Sequence, residues 1–259
     1  MAKVNTKMKR IDMKCLNILA SITIALCSIF HCAKADTMNA YQEKMLNSRQ
    51  EKIVTIAAFT ANGNLEKLKT ALNEGLDAGL TVSEIREILI QMYAYTGFPR
   101  SLNGINTFMN VISERQKKGI EDIAGEEPAA LPAGTDRDEY GEKVRMKLAG
   151  ISTLPPKSGY QIFAPGIDTF LKEHLFADIF GRGVLDYSSR EIATVSALAA
   201  MTGTEGQLQF HMGAAMNVGV TETQMKNLLS VLNEKVGTRE AVTARKVYAR
   251  VQENRAENR

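Results

Sequence analysis

Shifting the sequence by 140 residues lays Ser48 on Ser188, Glu51 on Glu191 and Gly63 on Gly203. The same offset pairs Gly79-Leu-Thr81 with Gly219-Val-Thr221, Leu89 with Leu229 and Gly97 with Gly237. One ungapped offset keeps glycines and capping residues in step over about fifty residues, which signals duplication. The period is too long for a solenoid. Two copies of one domain are expected, and whatever the fold is, it is built twice.

The local grammar of each copy is helical. Thr81-x-x-Glu84 and Thr221-x-x-Gln224 fit the capping box, in which side chains satisfy free N–H groups reciprocally. Ser48-x-x-Glu51 and Ser188-x-x-Glu191 fit it as well. Gly79 and Gly219 stand where a left-handed residue ends the preceding helix. Leu65, Leu68, Leu72 and Leu76 recur at three- and four-residue steps, which predicts one buried stripe. Alternating strands and Asn-Gly hairpin signals are missing. The expected class is all-α.

The first 35 residues read as a cleavable leader. Lys3, Lys7, Lys9, Arg10 and Lys14 precede the uncharged run Leu16 to Phe30, and Ala33-Lys34-Ala35 supplies a small-x-small cleavage pattern before Asp36. A spanning helix needs about 20 apolar residues, so a retained anchor is the weaker of the two readings. The leader holds six of the 32 basic residues and one of the 29 acidic ones, leaving 26 basic against 28 acidic groups, a formal −2. No basic surface for nucleic acid is expected, and contact with a membrane is expected only through the leader. Cys15, Cys27 and Cys32 all lie in the leader. A mature chain would have no thiol for disulfides, thiolate metal sites or nucleophilic catalysis. A periplasmic or secreted location follows. The expected organisation is a leader at 1–35, a first repeat at 36–124, a linker with an amphipathic helix at 125–159 and a second repeat at 160–259.

Outside the leader only two histidines remain, His174 and His211. His211 lies among Phe210, Met212, Gly213, Ala214 and Ala215, and the first repeat carries Ala71 at that position, so the fold does not require the imidazole. Glu191 lies on the preceding helix, where a capping role competes with a chemical one. An antiparallel hairpin offsets the two side chains by one or two turns at about 1.5 Å per residue. If they meet, the carboxylate fixes the imidazole tautomer and makes an acid–base pair. His174 either lines the same cleft or faces solvent. The segment Tyr93-Ala-Tyr95-Thr-Gly-Phe98-Pro99 is either core or a wall of that cleft. Two histidines with scattered carboxylates match no metal-ligand spacing, and neither metal nor cofactor is expected.

Arg190-Glu191, Ala197-Leu-Ala-Ala200, Gln209-x-His211 and Gly219-Val-Thr221 together resemble the carboxymuconolactone decarboxylase family. Tyr93-x-Tyr-x-Gly-x-Pro99 is similar to the family's segment after its third helix. His174-Leu-Phe-Ala-Asp-Ile-Phe180 with Val184-Leu-Asp186 resembles the lead-in of its tandem-domain members. The resemblance implies an AhpD-like all-α bundle assembled into homo-oligomers, trimers or hexamers. It also implies that Thr204 and Gln207 stand where the peroxidase branch carries its Cys-x-x-Cys pair. Thiol peroxidase chemistry is therefore not expected. The decarboxylase branch, which works without cysteine on a lactone, suits Glu191 and His211.

Two functions of different class stay open on the sequence. One is a cofactor-independent lyase or isomerase acting on a small carboxylated or lactone substrate, with Glu191 and His211 catalytic and His174, Tyr93, Tyr95 and Phe98 binding that substrate. The other is a non-catalytic periplasmic binding or scaffold protein that retains the fold.

Overall fold

The computed structural model describes residues 45–257; the expected leader and its cleavage site lie outside them. Among the described residues there is no strand, and the chain is a succession of helices. The first repeat consists of α1 (Ser48–Asn62), α2 (Leu65–Asp77) and the long α3 (Val82–Lys117). The linker carries α4 (Arg137–Ala149), and the second repeat opens with the short α5 (Tyr160–Phe163) and α6 (Pro165–Thr169) and a π-helical segment at Phe170–Ile179. It continues with α7 (Tyr187–Ala199), α8 (Glu205–Asn217), α9 (Glu222–Val231) and α10 (Thr238–Glu257).

Duplication is visible in the helix boundaries. Leu65 and Glu205 begin equivalent helices, as do Val82 and Glu222. Lys117 and Glu257 end equivalent ones. Thr81 with Glu84 and Thr221 with Gln224 form the expected reciprocal capping boxes. Gly63 and Gly203 both adopt positive φ, which a residue without Cβ does at no steric cost. Gly97 (φ 79°) kinks α3 just before Pro99, and Gly237 separates the helices that correspond to the two halves of α3. The leucine stripe holds at Leu68, Leu72 and Leu76, but Leu65 is 39% exposed because it is the first residue of α2 and lies at the rim.

The capping of α1 and α7 differs from the expectation. Asn47 caps α1 in a reciprocal box with Gln50, and Asp186 caps α7 by accepting from Ser189 N at 2.7 Å. Asn and Asp one or two residues upstream present a better acceptor to the open N–H groups than the serines do. Glu191 is thereby released from any cap.

The centre of the molecule is the pair α1 and α7, packed on each other. Every residue from Ile53 to Ala61, and every one from Arg190 to Ala199, is buried. A helix covered on all sides in this way belongs in the middle of a core. Ala57, Ala58, Ala193 and Ala197, all fully buried, keep the helix surfaces thin. One apolar cluster runs through both repeats, so the two copies share a core.

A second cluster builds the wall that matters for function. Val144 and Leu148 of α4 pack with Leu175, Phe176 and Ile179 of the π-helical segment and with Ala214 of α8. Gly141 makes the first of these contacts possible, because a Cβ there would overlap the Lys172 carbonyl oxygen. The end of the first repeat is tied down as well: Val82 N and Ser83 N, open groups at the start of α3, donate to Ile123 O and Ala124 O at 2.9 Å.

Candidate active site

Glu191 sits one turn into α7 and His211 midway along α8, and the hairpin brings them together. His211 Nδ1 lies 2.8 Å from Glu191 Oε2, with Glu191 0% and His211 5% exposed. An ionised carboxylate accepts only, so the bond assigns the proton to Nδ1 and leaves Nε2 with a free lone pair. Nε2 bonds no protein group among the described residues. The second carboxylate oxygen, Oε1, is buried without a hydrogen-bond partner.

His211 forms part of the wall of a cavity of about 510 Å³. Ala94, Leu171, Leu175, Phe176, Leu198 and Phe210 give it an apolar lining. Its polar groups are Tyr95, Arg145, Tyr160, Thr204, Gln207 and His211. An apolar cavity with a few converging polar groups is the usual shape of a small-molecule site.

Tyr95 comes from the other repeat, in the turn of α3 before the Gly97 kink. Its ring meets His211 edge-on at 5.4 Å. The hydroxyl is buried and unbonded; the nearby Thr194 hydroxyl donates to Arg190 O at 3.0 Å and accepts from Gln91 Nε2 at 2.9 Å. Burial, and then the negative charge of Glu191, push the phenol far above its ordinary range. The hydroxyl keeps its proton in the field of Glu191.

Under the pair lies a polar network that locks α3 to α7. Arg190, fully buried, donates to Gln91 Oε1 at 3.0 Å and to Gly183 O at 2.9 Å. Its other neighbour, the buried Glu87, takes two bonds from Arg182 at 2.8 and 2.9 Å. Burial lowers the Arg190 pKa, and the charge of Glu87 works against that shift. This network fixes the height of Glu191, the next residue along α7.

The sequence candidates divide into two groups. Tyr95 and His211 line the cavity, and Glu191 stands behind it, bonded to His211. His174, Tyr93 and Phe98 do not line it. They form a ring stack of their own, with Tyr93 at 4.6 Å from Phe98 and 5.5 Å from His174. His174 Nδ1 pairs with Asp178 Oδ2 at 3.1 Å on an exposed face. The division is geometric: Tyr93 and Tyr95, two residues apart, point about 200° apart around a helix axis. Only one of them can face the cavity. Arg145, Phe176, Phe210 and Tyr160 were not picked out from the sequence. Phe210 could have been, as the aromatic neighbour of His211; the others come from segments with no periodic relation to it.

No group of three or more His, Asp or Glu side chains among the described residues is arranged to hold a metal ion. An all-α duplicated fold with one buried carboxylate–imidazole pair in a lined cavity defines the class of protein. The chain belongs to the carboxymuconolactone decarboxylase family, whose pattern matches it twice, over residues 31–107 and 165–250. No curated protein matches the sequence.

Proposed function

We propose that the protein is a cofactor-independent lyase or isomerase acting on a small carboxylated or lactone substrate. The observation that carries the reading is the 2.8 Å bond between His211 Nδ1 and Glu191 Oε2 at the wall of an apolar cavity. His211 Nε2 removes a proton from carbon next to a carbonyl, the imidazolium is stabilised by Glu191, and the proton returns to another carbon. Where CO2 leaves instead, the electron pair left on carbon takes its proton from a protonated His211. Thr204 and Gln207, at the positions the family resemblance gives to redox cysteines, supply no thiol to the cavity. A filled core around His211 would have favoured the binding or scaffold reading; the ring instead faces open volume. The proposed location, periplasmic or secreted, rests on the leader over residues 1–35.

The test is turnover of a panel of unsaturated lactones and carboxylic acids, followed by proton NMR in D2O. His211→Asn keeps a donor for Glu191, and Glu191→Gln keeps an acceptor for Nδ1. Both variants are expected to fold and to lose about 10² or more in rate, the usual contribution of a positioned acid–base group. Turnover or deuterium exchange that survives both substitutions overturns the proposal.

A further inference from the structure

Among the described residues Arg145 is the only Lys or Arg lining the cavity, and it comes from neither repeat. It sits on α4, in the stretch between the two family matches, so the family pattern assigns it nothing. Its neighbours in the wall are Tyr160, Leu171, Leu175 and Phe176, all from elements that follow the linker.

The bland alternative is a structural ion pair. Arg145 Nη1 donates to Asp168 Oδ1 at 2.7 Å, and Asp168 is buried. Two other arginine pairs spend the Nε–Nη2 edge on a carboxylate, whereas the buried Arg190 gives Glu87 only Nη2, at 3.3 Å, and keeps an unbonded Nε. Arg182 gives both Nε and Nη2 to Glu87 at 2.8 and 2.9 Å. Arg115 holds Asp122 through Nε and Nη2, with distances of 2.9 to 3.0 Å. Those forks are used up, as a planar guanidinium against a carboxylate allows. Arg145 gives Asp168 one prong only. Its Nε and Nη2 bond no other protein group among the described residues.

Asp168 is also served from elsewhere. Gln161 Nε2 donates to the same Oδ1 at 3.1 Å, and Lys157 Nζ stands 3.8 Å from Oδ2. The carboxylate therefore holds Arg145 at one corner and leaves its Nε and Nη2 unbonded. A guanidinium held at one corner, with Nε and Nη2 unbonded and the side chain in the cavity wall, is suited to a planar two-oxygen anion.

We propose that Arg145 is the specificity-determining anchor of the cavity, binding a substrate carboxylate through its free edge. The inference rests on reading the cavity as the active site. It also restricts the chemistry. Loss of CO2 moves charge off the departing carboxylate, and a cation bonded to that group stabilises the ground state more than the transition state. The anchored carboxylate is thus one the reaction keeps. An isomerase substrate needs one acid group, and a lyase substrate needs a second that leaves.

Benzoate and its neutral analogue benzamide separate charge from shape. Calorimetric titration of the purified full chain is expected to show benzoate binding at least about tenfold tighter than benzamide, the range of a charge-assisted hydrogen bond. Arg145→Gln is expected to abolish that preference, and Arg145→Lys to restore part of it. Absence of benzoate binding, equal binding of the two probes, or a preference that survives Arg145→Gln overturns the proposal. Should Arg145→Gln fail to fold, crystals of the unaltered protein soaked in 4-bromobenzoate give a second reading. The bromine signal places the ring, and the carboxylate must lie within hydrogen-bond reach of Arg145; a carboxylate elsewhere overturns the assignment. Turnover is a separate readout: Arg145-dependent binding without any reaction removes the lyase or isomerase reading and leaves the anchor standing.

Discussion

Ala71 and His211 hold the same position in equivalent helices, α2 and α8, and both are buried. Glu51 and Glu191 are equivalent in the same way, on α1 and α7. The first repeat thus carries the carboxylate without the imidazole, and the Tyr95 that completes the second site corresponds to Lys235. Among the described residues the duplication has left one Glu–His pair.

That asymmetry suggests that alanine is harmless at position 211, and the geometry says otherwise. Among the described residues His211 is the only side-chain hydrogen-bond partner of Glu191, whose other oxygen is already unsatisfied at 0% exposure. Removing one side of a buried pair costs about 3–5 kcal/mol. His211→Ala is expected to lower the melting temperature markedly, whereas His211→Asn, with an amide N–H near the place of Nδ1, is not. Adding Glu191→Leu to His211→Ala is expected to recover much of the loss. Thermal unfolding of the three variants decides it; an unchanged melting temperature in His211→Ala means that the carboxylate is neutral or hydrated.

Acid stability follows from Asp168. Burial alone would raise its pKa, but hydrogen bonds from Arg145 and Gln161, with the charges of Arg145 and Lys172, outweigh burial and hold it below the ordinary carboxylate range. A depressed folded-state pKa contributes stability that is present above the unfolded value of about 3.9 and lost as pH falls through the folded one. Asp168→Asn is expected to be less stable than the parent at pH 7, with the gap closing as pH drops below about 4. Urea unfolding at a series of pH values measures it, and a gap that widens in acid contradicts this.

Much of the fold was legible because glycines and capping threonines punctuate it. Gly63, Gly79, Gly203 and Gly219 sit at positive φ, and Thr81 and Thr221 open their helices as read. The repeat slips by one residue at the caps Asn47 and Asp186, which is why Glu191 passed for a capping residue. A capping-box pattern cannot rank itself against a better acceptor just upstream. The pairing of His211 with Glu191 was open for a different reason. Sequence separation fixes height along a hairpin only to a turn or two, and packing of α7 on α8 fixes the rest. Arg145 left no trace, because it reaches the site through packing of α4 on the π-helical segment.

That packing depends on a single missing methyl group. A Cβ at Gly141 would overlap the Lys172 carbonyl oxygen, which belongs to backbone and cannot rotate away. Gly141→Ala must therefore push α4 off the π-helical segment. Overpacking of this kind costs about 1–3 kcal/mol, more than the gain of about 0.5–1 kcal/mol that alanine brings to a helix interior. Net destabilisation is expected in urea unfolding. Because α4 carries Arg145, benzoate binding is expected to weaken as well, although the substitution touches no cavity residue. Unchanged stability means that the two helices separate freely.

Tyr95 sets stability against function. Its hydroxyl is buried without a partner, and an unsatisfied buried polar group costs about 1–3 kcal/mol. Burial and the charge of Glu191 push the phenol's pKa up, so the hydroxyl keeps its proton and can donate. Tyr95→Phe keeps the ring against His211 and removes the orphaned oxygen. The variant is expected to be as stable as the parent or more so, with a melting temperature raised by a few degrees. Turnover is expected to fall about 10–10²-fold if the hydroxyl donates to the substrate or to charge building up beside His211. The rate loss should appear in kcat rather than KM, because a donor needed only as charge develops leaves substrate binding alone. A destabilised Tyr95→Phe indicates that the hydroxyl is bonded in solution, through water or Thr194. A stabilised variant with full activity makes Tyr95 a wall and nothing more.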